Sequence, residues 1–353
     1  MTQSPSPTLE TRKWITPLLL ILVSLLFVFA IKLYAPHNPY VERVIVILGI
    51  NIILIVALNL SNGYTGIFSL GHVGFMAIGS YVSSILTLAL ETKATNLPDL
   101  PAWLAHVQLS FIPALLIAAT IAAIIAFLIG IPLMRLSGHY VSVATLGFLV
   151  IVHIVLINWT QFTRGARTFS GVIQYTNIWW VYLWLIITIY IVWRVVHSPY
   201  GRALIAVRED TIAAQSMGIN ILQSRLLAFV VSAFLTAIGG GLMAHYLTSF
   251  SPATFYFTAT FNYIIMLVVG GMGSISGSIL GTTLVTLLSE ILRNAELGVR
   301  IGSIKLPALY GLSQIVLSIT FILIVILRRK GLMGDREINF SWINKIFTSP
   351  SKT

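Results

Sequence analysis

The sequence predicts an all-α integral membrane protein with about ten transmembrane helices, glycine-rich broken or short helices in each half, and a helical cytoplasmic loop between the halves. Of the 353 residues, 57% are hydrophobic and only 9% are charged, and the mean hydropathy is +0.94. This composition is typical of a chain whose solvent is the bilayer. A span needs about 20 mostly apolar residues, because lipid offers the backbone no hydrogen-bond partner.

Ten apolar runs give the order of the elements. Six precede a central polar loop, at residues 15–34, 44–60, 73–90, 109–134, 140–159 and 178–196. Four follow it, at residues 226–249, 258–270, 274–292 and 308–327. The first run is longer than a signal-peptide core of about 7–15 residues and lacks a small-residue cleavage site, so we expect it to remain as a span. An eight-span or nine-span arrangement with a re-entrant segment stays open.

Basic residues predict the orientation, because they tend to stay in the cytoplasm near span ends. With ten spans and a cytoplasmic N-terminus, 13 of the 21 Lys and Arg residues lie inside. The expected organisation is a cytoplasmic tail (1–13), a transmembrane domain (14–334) containing the polar loop (198–224), and a second cytoplasmic tail (335–353). We expect a multi-pass protein of the bacterial inner membrane with both termini cytoplasmic. The same bias accounts for the net charge of +11 without any nucleic-acid partner.

Two glycine-rich stretches interrupt the apolar pattern, one in each half. The first has glycines at positions 63, 66, 71, 74 and 79, and the second at 270, 271, 273, 277 and 281. A helix interior loses about 1 kcal/mol per glycine relative to alanine. One interpretation is a pair of broken helices that line a pathway, since irregular backbone at membrane depth is tolerated where protein or water covers it. The other is close helix packing through small residues. We favour the pathway for the pair together.

Several function classes lack the residues that they need. The chain has no cysteine, and His139, His153 and His245 have no acidic partner at metal-ligand spacing. We therefore predict no catalytic residue and no metal site. His72 lies in the first stretch, where it is either a ligand or a packing residue. Only Glu290 places a carboxylate within a predicted span, and no GxxxxGK[ST] motif is present, so any energy for transport must come from another chain.

The central polar loop has the pattern of two short helices. Ser198 followed by Pro199 predicts a helix start, because serine caps the first turn and proline fits its first position. Asp210 can cap a second helix, and Gly218 suits its left-handed end. Ile212, Ala213 and Met217 would form a small apolar face that could fit a groove on a cytoplasmic partner. An amphipathic helix on the membrane surface is the alternative.

Five segments together resemble one family. They read GYTGIFSLGHVGFMAIGSYV, GRALIAVREDTIAAQSMGIN, LLAFVVSAFLTAIGGGLMAHYL, VGGMGSISGSILG and RRKGLMG. In this order they resemble the LivM-type permease subunit of branched-chain amino-acid ABC importers, over almost the whole chain from Asn51 to Gly334. The resemblance implies uptake of branched-chain or other neutral amino acids, driven by partner ATPases. Each glycine motif alone is weak, and their combination is specific.

The resemblance also implies partners and site residues. The partners are a LivH-type permease, two cytoplasmic ATPase subunits that bind ATP and magnesium, and an external substrate-binding protein, with membrane lipid around the spans. This chain itself would hold no cofactor. The expected ATPase-coupling residues are Arg202, Arg208, Glu209, Asp210, Ala213, Ala214, Met217, Gly218 and Asn220. The expected substrate-pathway residues are Gly66, Ser69, Gly71, His72, Gly270, Gly271 and Gly273.

Other functions stay open at this level. Urea-type and sugar-type permeases share the general architecture, and uptake of urea or a short amide is the main alternative substrate. A self-sufficient channel or secondary carrier is a rival of another class. A membrane-embedded enzyme is disfavoured, because no nucleophile and base or metal cluster can be assembled from the sequence.

Overall fold

The computed structural model describes residues 39–296, 300–301, 304–305, 311–328, 331–334 and 337. The predicted first span (15–34) and the N-terminal tail lie outside the described residues. The predicted C-terminal tail does too, except for Glu337.

The described chain is almost entirely helical. The first half contains α1 (Pro39–Asn62), α2 (His72–Thr87), α3 (Leu90–Asn96), α4 (Ala102–Ala105), α5 (Phe111–Leu133), α6 (His139–Asn158), α7 (Thr160–Thr163) and α8 (Ile178–Val196). The second half contains α9 (Pro199–Glu209), α10 (Thr211–Ser216), α11 (Ile221–Leu247), α12 (Phe257–Gly270), α13 (Ile275–Glu296) and α14 (Leu312–Leu327). A 3₁₀ turn (Pro252–Phe255) precedes α12, and a two-residue antiparallel pair, β1 (Arg300–Ile301) and β2 (Ile304–Lys305), follows α13. The all-α class is confirmed.

Each of the nine predicted runs within the described residues coincides with a helix, but fewer are long enough to span. Among the described residues, seven helices are long and apolar enough to cross a membrane, or eight if α2 and α3 form one span bent by 118°. The run at 73–90 becomes the 16-residue helix α2, which at 1.5 Å per residue is about 24 Å long, less than the hydrocarbon thickness. The run at 308–327 likewise becomes the 16-residue α14. The count of ten stays a prediction.

Two spans form the centre of the bundle. Within their most apolar windows, 78% of α1 and 67% of α11 is buried, against 28–44% for the other five single-helix spans. α11 packs on α1, α2 and α5, and small residues allow these close crossings. A Cβ at Gly79 would lie 2.1 Å from the Ala237 carbonyl oxygen, and a Cβ at Gly240 would lie 2.1 Å from the Met76 carbonyl oxygen. The outer helices leave large apolar side chains exposed, as expected for surfaces that face lipid or another membrane subunit.

Candidate functional site

The polar segment, residues 198–220, begins with a capped helix in a tight turn. The Ser198 hydroxyl accepts a hydrogen bond from the Gly201 backbone N–H at 3.3 Å, and Pro199 occupies the first position of α9. A Cβ on Gly201 would lie only 2.0 Å from the Val196 carbonyl oxygen, so glycine is needed where α9 turns back on α8. The predicted helix start is confirmed, and the turn fixes the position of α9 beneath the bundle.

The second half of the segment is fixed by further local bonds. The Asp210 carboxylate accepts from the backbone N–H groups of Ile212 and Ala213 at 2.8 and 3.0 Å and so caps α10. Gly218 has a φ of +81°, the left-handed conformation that ends a helix at little cost for glycine. The Asn220 side chain then caps α11 by accepting from the Gln223 N–H at 3.0 Å. The segment is therefore an ordered unit between two spans.

This ordered unit exposes an apolar surface. Met217 is 82% exposed and Ile212 is 78% exposed, the two highest values among the large hydrophobic residues that the structure describes. The exposed members of the predicted coupling set are Arg202, Glu209, Asp210, Ala213, Met217, Gly218 and Asn220. Ala214 is only 4% exposed, so its side chain offers almost no surface to a partner. Exposed apolar groups on a rigid polar unit are typical of a docking surface.

Arg208 points back to the bundle. Its Nη1 donates to the Gly63 carbonyl oxygen at 3.0 Å, while its Nε and Nη2 donate to the Glu209 carboxylate at 3.0 and 2.8 Å. Gly66 lies beneath its stem with a φ of +72°, and a Cβ there would lie 2.8 Å from Arg208 Cγ. The polar segment is thereby joined to residues 63–71, the first break, which connects α1 to α2.

The first break meets a second break, residues 271–274, which connects α12 to α13. Asn59 joins them: its Nδ2 donates to the Ser274 carbonyl at 2.8 Å and to the Ser278 hydroxyl at 2.7 Å. Its Oδ1 accepts from the Gly273 N–H at 2.9 Å. A Cβ on Gly63 would lie 2.4 Å from the Gly273 nitrogen, so the two backbones touch. Neither the pairing nor the part played by Asn59 was visible in the sequence, because the partners are more than 200 residues apart.

The second break is covered by residues 331–334, the closing segment. Leu332 and Met333 donate their backbone N–H groups to the carbonyls of Val269 and Gly270 at 2.9 and 3.1 Å. Gly331 approaches so closely that a Cβ would lie 2.5 Å from the Val268 carbonyl oxygen. The resemblance had included these residues without a role. Their backbone N–H groups pair with carbonyl groups at the C-terminal end of α12.

Glu337, which sequence reasoning had placed in a separate tail, caps α13. Its carboxylate accepts from the Ile275 and Ser276 N–H groups at 2.6 and 3.1 Å, and from the Ser276 hydroxyl at 2.6 Å. The Tyr64 hydroxyl of the first break donates to the same carboxylate at 3.2 Å. A negative charge at a helix N-terminus is favourable because the peptide dipoles and unpaired N–H groups point towards it. No signal in the sequence marks this contact.

The glycines of the second break serve close packing and unusual backbone. A Cβ on Gly270 would lie 2.1 Å from the Gly277 carbonyl oxygen, and a Cβ on Gly281 would lie 2.4 Å from Gly270 Cα. Gly271 and Gly273 have φ values of +118° and +92°, which other residues adopt only with strain. None of these five glycines lines the cleft between α1, α2, α11 and α12.

The first break borders a narrow cleft between α1, α2, α11 and α12. Ser69 and His72 line it, and the Ser69 hydroxyl lies 3.0 Å from His72 Nδ1. Gly71 packs against α6, where a Cβ would lie 2.7 Å from the Thr145 carbonyl oxygen. The predicted pathway residues thus separate: Ser69 and His72 reach the cleft, Gly71 supports it, and Gly66 lies under Arg208.

The described residues form a bundle of membrane-spanning helices with an exposed apolar surface on the polar segment, and no charged side chain among them lines the cleft. Residues 40–326 match the family described as "Branched-chain amino acid transport system / permease component". The chain belongs to this family.

Individual relatives agree with the family match. The chain is 30% identical to the high-affinity branched-chain amino acid transport system permease protein LivM of Escherichia coli strain K12, over 69% of this chain and 62% of that protein. It is 23% identical to a probable LivM permease of Methanocaldococcus jannaschii over 84% of this chain and 94% of the relative. The LivH permease of Salmonella typhimurium is 25% identical over 78% of this chain and 88% of its own length. No solved structure matches the chain.

Proposed function

We propose that the chain is a transmembrane permease subunit of an ATP-binding-cassette importer for branched-chain or other neutral amino acids. A second, LivH-type permease completes the pathway, two ATPase subunits drive it, and an external binding protein delivers the substrate. Two relatives are named LivM and one is named LivH, each as a branched-chain amino acid permease, which supports both the substrate class and the second permease. The subunit resides in the inner membrane with both termini in the cytoplasm.

The observation that carries the proposal is the polar segment. It exposes Ile212 and Met217 to a partner and holds the first break by the Arg208–Gly63 hydrogen bond. A unit of this kind can receive movement from an ATPase and pass it to the membrane helices. A self-sufficient channel or carrier has no need of an exposed apolar docking surface at this position.

The mechanism follows from that connection. ATP binding and hydrolysis in the partner subunits move α9 and α10, and Arg208 carries the movement to the first break. Since Asn59 joins the first break to the second, the two breaks shift together and α2, α12 and α13 change their tilt. The pathway then opens alternately to either side, as expected when a ligand in one subunit shifts a two-state equilibrium. This chain binds no ATP itself.

Uptake by the complete importer tests the function. The chain would be reconstituted in proteoliposomes with its second permease, ATPases and binding protein, and radiolabelled leucine, alanine and urea would be offered with ATP or a non-hydrolysable analogue inside. We expect uptake of leucine and alanine only with ATP. Uptake of urea without uptake of either amino acid would show that the proposed substrate class is wrong. Uptake that does not depend on ATP would favour the channel or carrier.

The docking surface has its own test. Replacing Ile212 and Met217 by serine removes the exposed apolar groups and keeps the Ser198 and Asp210 side chains that cap α9 and α10. We expect the ATPase to be lost during co-purification, since a docking site depends on a few buried apolar contacts. Trp103→Ser is the matched control, because Trp103 is 71% exposed in a loop predicted to lie on the other side of the membrane. If the ATPase co-purifies equally with the wild type, with the variant that carries Ile212→Ser and Met217→Ser, and with the Trp103→Ser control, the docking role is refuted.

A further inference from the structure

The cleft beside the first break combines an apolar wall with a few buried polar groups. Its apolar lining includes Leu54, Leu58, Val73, Met76 and Ile264. The described residues that line it include no charged side chain. The cleft is narrow, and in this conformation the space that it encloses holds about one water molecule, well below the roughly 300–1,000 Å³ of a small-molecule site. Such a lining suits a small ligand with an aliphatic side chain and disfavours one with a charged side chain.

Two residues that line the cleft each carry a polar atom with no partner within the described part of the chain. The atoms are His72 Nε2 and Thr236 Oγ1, on residues that are 4% and 3% exposed. Leaving a buried polar atom unpaired costs about 1–3 kcal/mol. Two such atoms on different helices, α2 and α11, both lining one cleft, are typical of a site whose polar groups are satisfied only when a ligand is bound.

The hydrogen bonds around His72 define what its free nitrogen offers. Ser69 Oγ already accepts from the Gly71 N–H at 3.4 Å, and the acceptor in reach of the Ser69 hydroxyl proton is His72 Nδ1. The Ser69 hydroxyl proton finds this acceptor in the tautomer in which Ser69 donates to Nδ1, and in that tautomer the neutral ring carries its own proton on Nε2. His72 Nε2–H is then a donor, and the Thr236 hydroxyl is a second one. Two donors with no acid nearby suit a carboxylate.

We propose that this cleft is a transit site for a neutral amino acid. The substrate carboxylate accepts hydrogen bonds from His72 Nε2–H and from the Thr236 hydroxyl, while its aliphatic side chain lies against Leu54, Leu58 and Ile264. This inference rests on the proposed function and names the residues that select the substrate. The enclosed part of the cleft is only water-sized in this conformation, so entry requires α2 and α12 to separate. That separation belongs to the same rocking movement that the polar segment drives.

Thr236→Val and His72→Leu test the site in the complete importer. Valine has nearly the shape of threonine, and we expect the loss of each donor to raise the KM for leucine about tenfold, the effect of one lost hydrogen bond to a charged group. ATPase co-purification should be unchanged. His72→Gln, which restores a donor near the Nε2 position, should recover most of the loss.

Thr188→Val is the matched control for Thr236→Val. The Thr188 side chain is also buried, its hydroxyl is also unpartnered within the described residues, and it lies on α8 away from the cleft. We expect the control to transport leucine with the wild-type KM. A wild-type KM for both Thr236→Val and His72→Leu, or an equal rise for Thr188→Val and Thr236→Val, would overturn the site.

Ile264→Ala adds a readout of selectivity that a merely structural role would not change. The smaller side chain enlarges the apolar part of the cleft, which should raise uptake of phenylalanine relative to valine. Loss of structure would instead lower both uptakes equally. An unchanged ratio would exclude Ile264 from the site. If the wild-type importer takes up neither leucine nor alanine, the proposed function fails and the site falls with it. If the wild type imports and the cleft variants match it, only the site fails.

Discussion

The first break borders a cleft and is held to the polar segment by Arg208, whereas the second break is closed by glycine contacts and covered by the closing segment. Their sequences are similarly rich in glycine. Ser69 of the first break and His72 at the start of α2 line the cleft. On either side of the second break, Gly270, Gly277 and Gly281 bring α12 and α13 together until the backbones touch. The same composition therefore provides a working surface in one half and a rigid crossing in the other.

This difference assigns separate tasks to the two breaks. The first is connected on one side to the exposed polar segment and on the other to the cleft, and in the proposed function it is the break that moves. The second gives the first a fixed neighbour, to which Asn59 and Tyr64 attach it.

The largest effect is expected from Gly281→Val, which adds a side chain at the rigid crossing, where the backbones of α12 and α13 touch. A Cβ at this position would lie 2.4 Å from the backbone of Gly270, which cannot move aside as a flexible side chain would. Overpacking of this kind costs about 3 kcal/mol, and we expect a lower midpoint of thermal unfolding in detergent. Gly147→Val is the control, since a Cβ there meets nothing within 4 Å. Equal midpoints would show that the second break is not a rigid crossing.

Asn59→Ala should have the next largest effect, because it removes the side-chain hydrogen bonds by which Asn59 joins the two breaks. It leaves the Gly273 N–H and the Ser274 carbonyl without the partners that Asn59 supplies, at a cost of about 2 kcal/mol. Asn51→Ala on the same helix removes a single 3.3 Å bond to Thr286 and should cost about half as much. The two midpoints of thermal unfolding give the comparison, and a greater loss for Asn51→Ala would contradict the bridging role.

Gly66→Ala tests the contact between the first break and the polar segment. Gly66 and Gly218 both have positive φ, +72° and +81°, so alanine at either costs about 1 kcal/mol of backbone strain. Only at Gly66 does the added Cβ meet Arg208, at 2.8 Å. We expect both variants to lose similar stability, and Gly66→Ala alone to lose leucine uptake per ATP hydrolysed. If Gly66→Ala and Gly218→Ala take up the same amount of leucine per ATP hydrolysed, this contact does not transmit movement.

Glu337→Gln should have the smallest effect. The variant keeps an acceptor for the N-terminus of α13 and loses the charge, worth about 0.5 kcal/mol at an exposed helix end. Glu296→Gln is the control, because Glu296 accepts from the Ser313 N–H and hydroxyl at 2.7 and 2.8 Å at the start of another helix. We expect equal small losses of stability, with slower leucine uptake only for Glu337→Gln, which alone contacts Tyr64. If Glu337→Gln and Glu296→Gln take up leucine at equal rates, Glu337 serves only to cap α13.

The sequence predicts the parts of this protein that depend on local chemistry. The caps at Ser198, Asp210 and Gly218 were predicted because each acts on a neighbouring turn, and the run at 178–196 coincides with α8. Asn59 and Glu337 were missed because their partners lie 215 and 62 residues away. Ala214 was included in the coupling set although the fold turns it inward. Hydropathy likewise does not show that α2 ends at Thr87, where the chain bends by 118° towards α3.

The central claim is that Arg208 transmits movement to the first break while the exposed apolar groups bind the ATPase. Leucine uptake per ATP hydrolysed, measured in proteoliposomes with Arg208→Ala, tests it most directly. Arg202→Ala, on the same helix and exposed, is the control. We predict that Arg208→Ala retains its ATPase and hydrolyses ATP with about tenfold less uptake per ATP, and that Arg202→Ala keeps the wild-type ratio. A wild-type ratio for Arg208→Ala, or loss of its ATPase, would contradict the account.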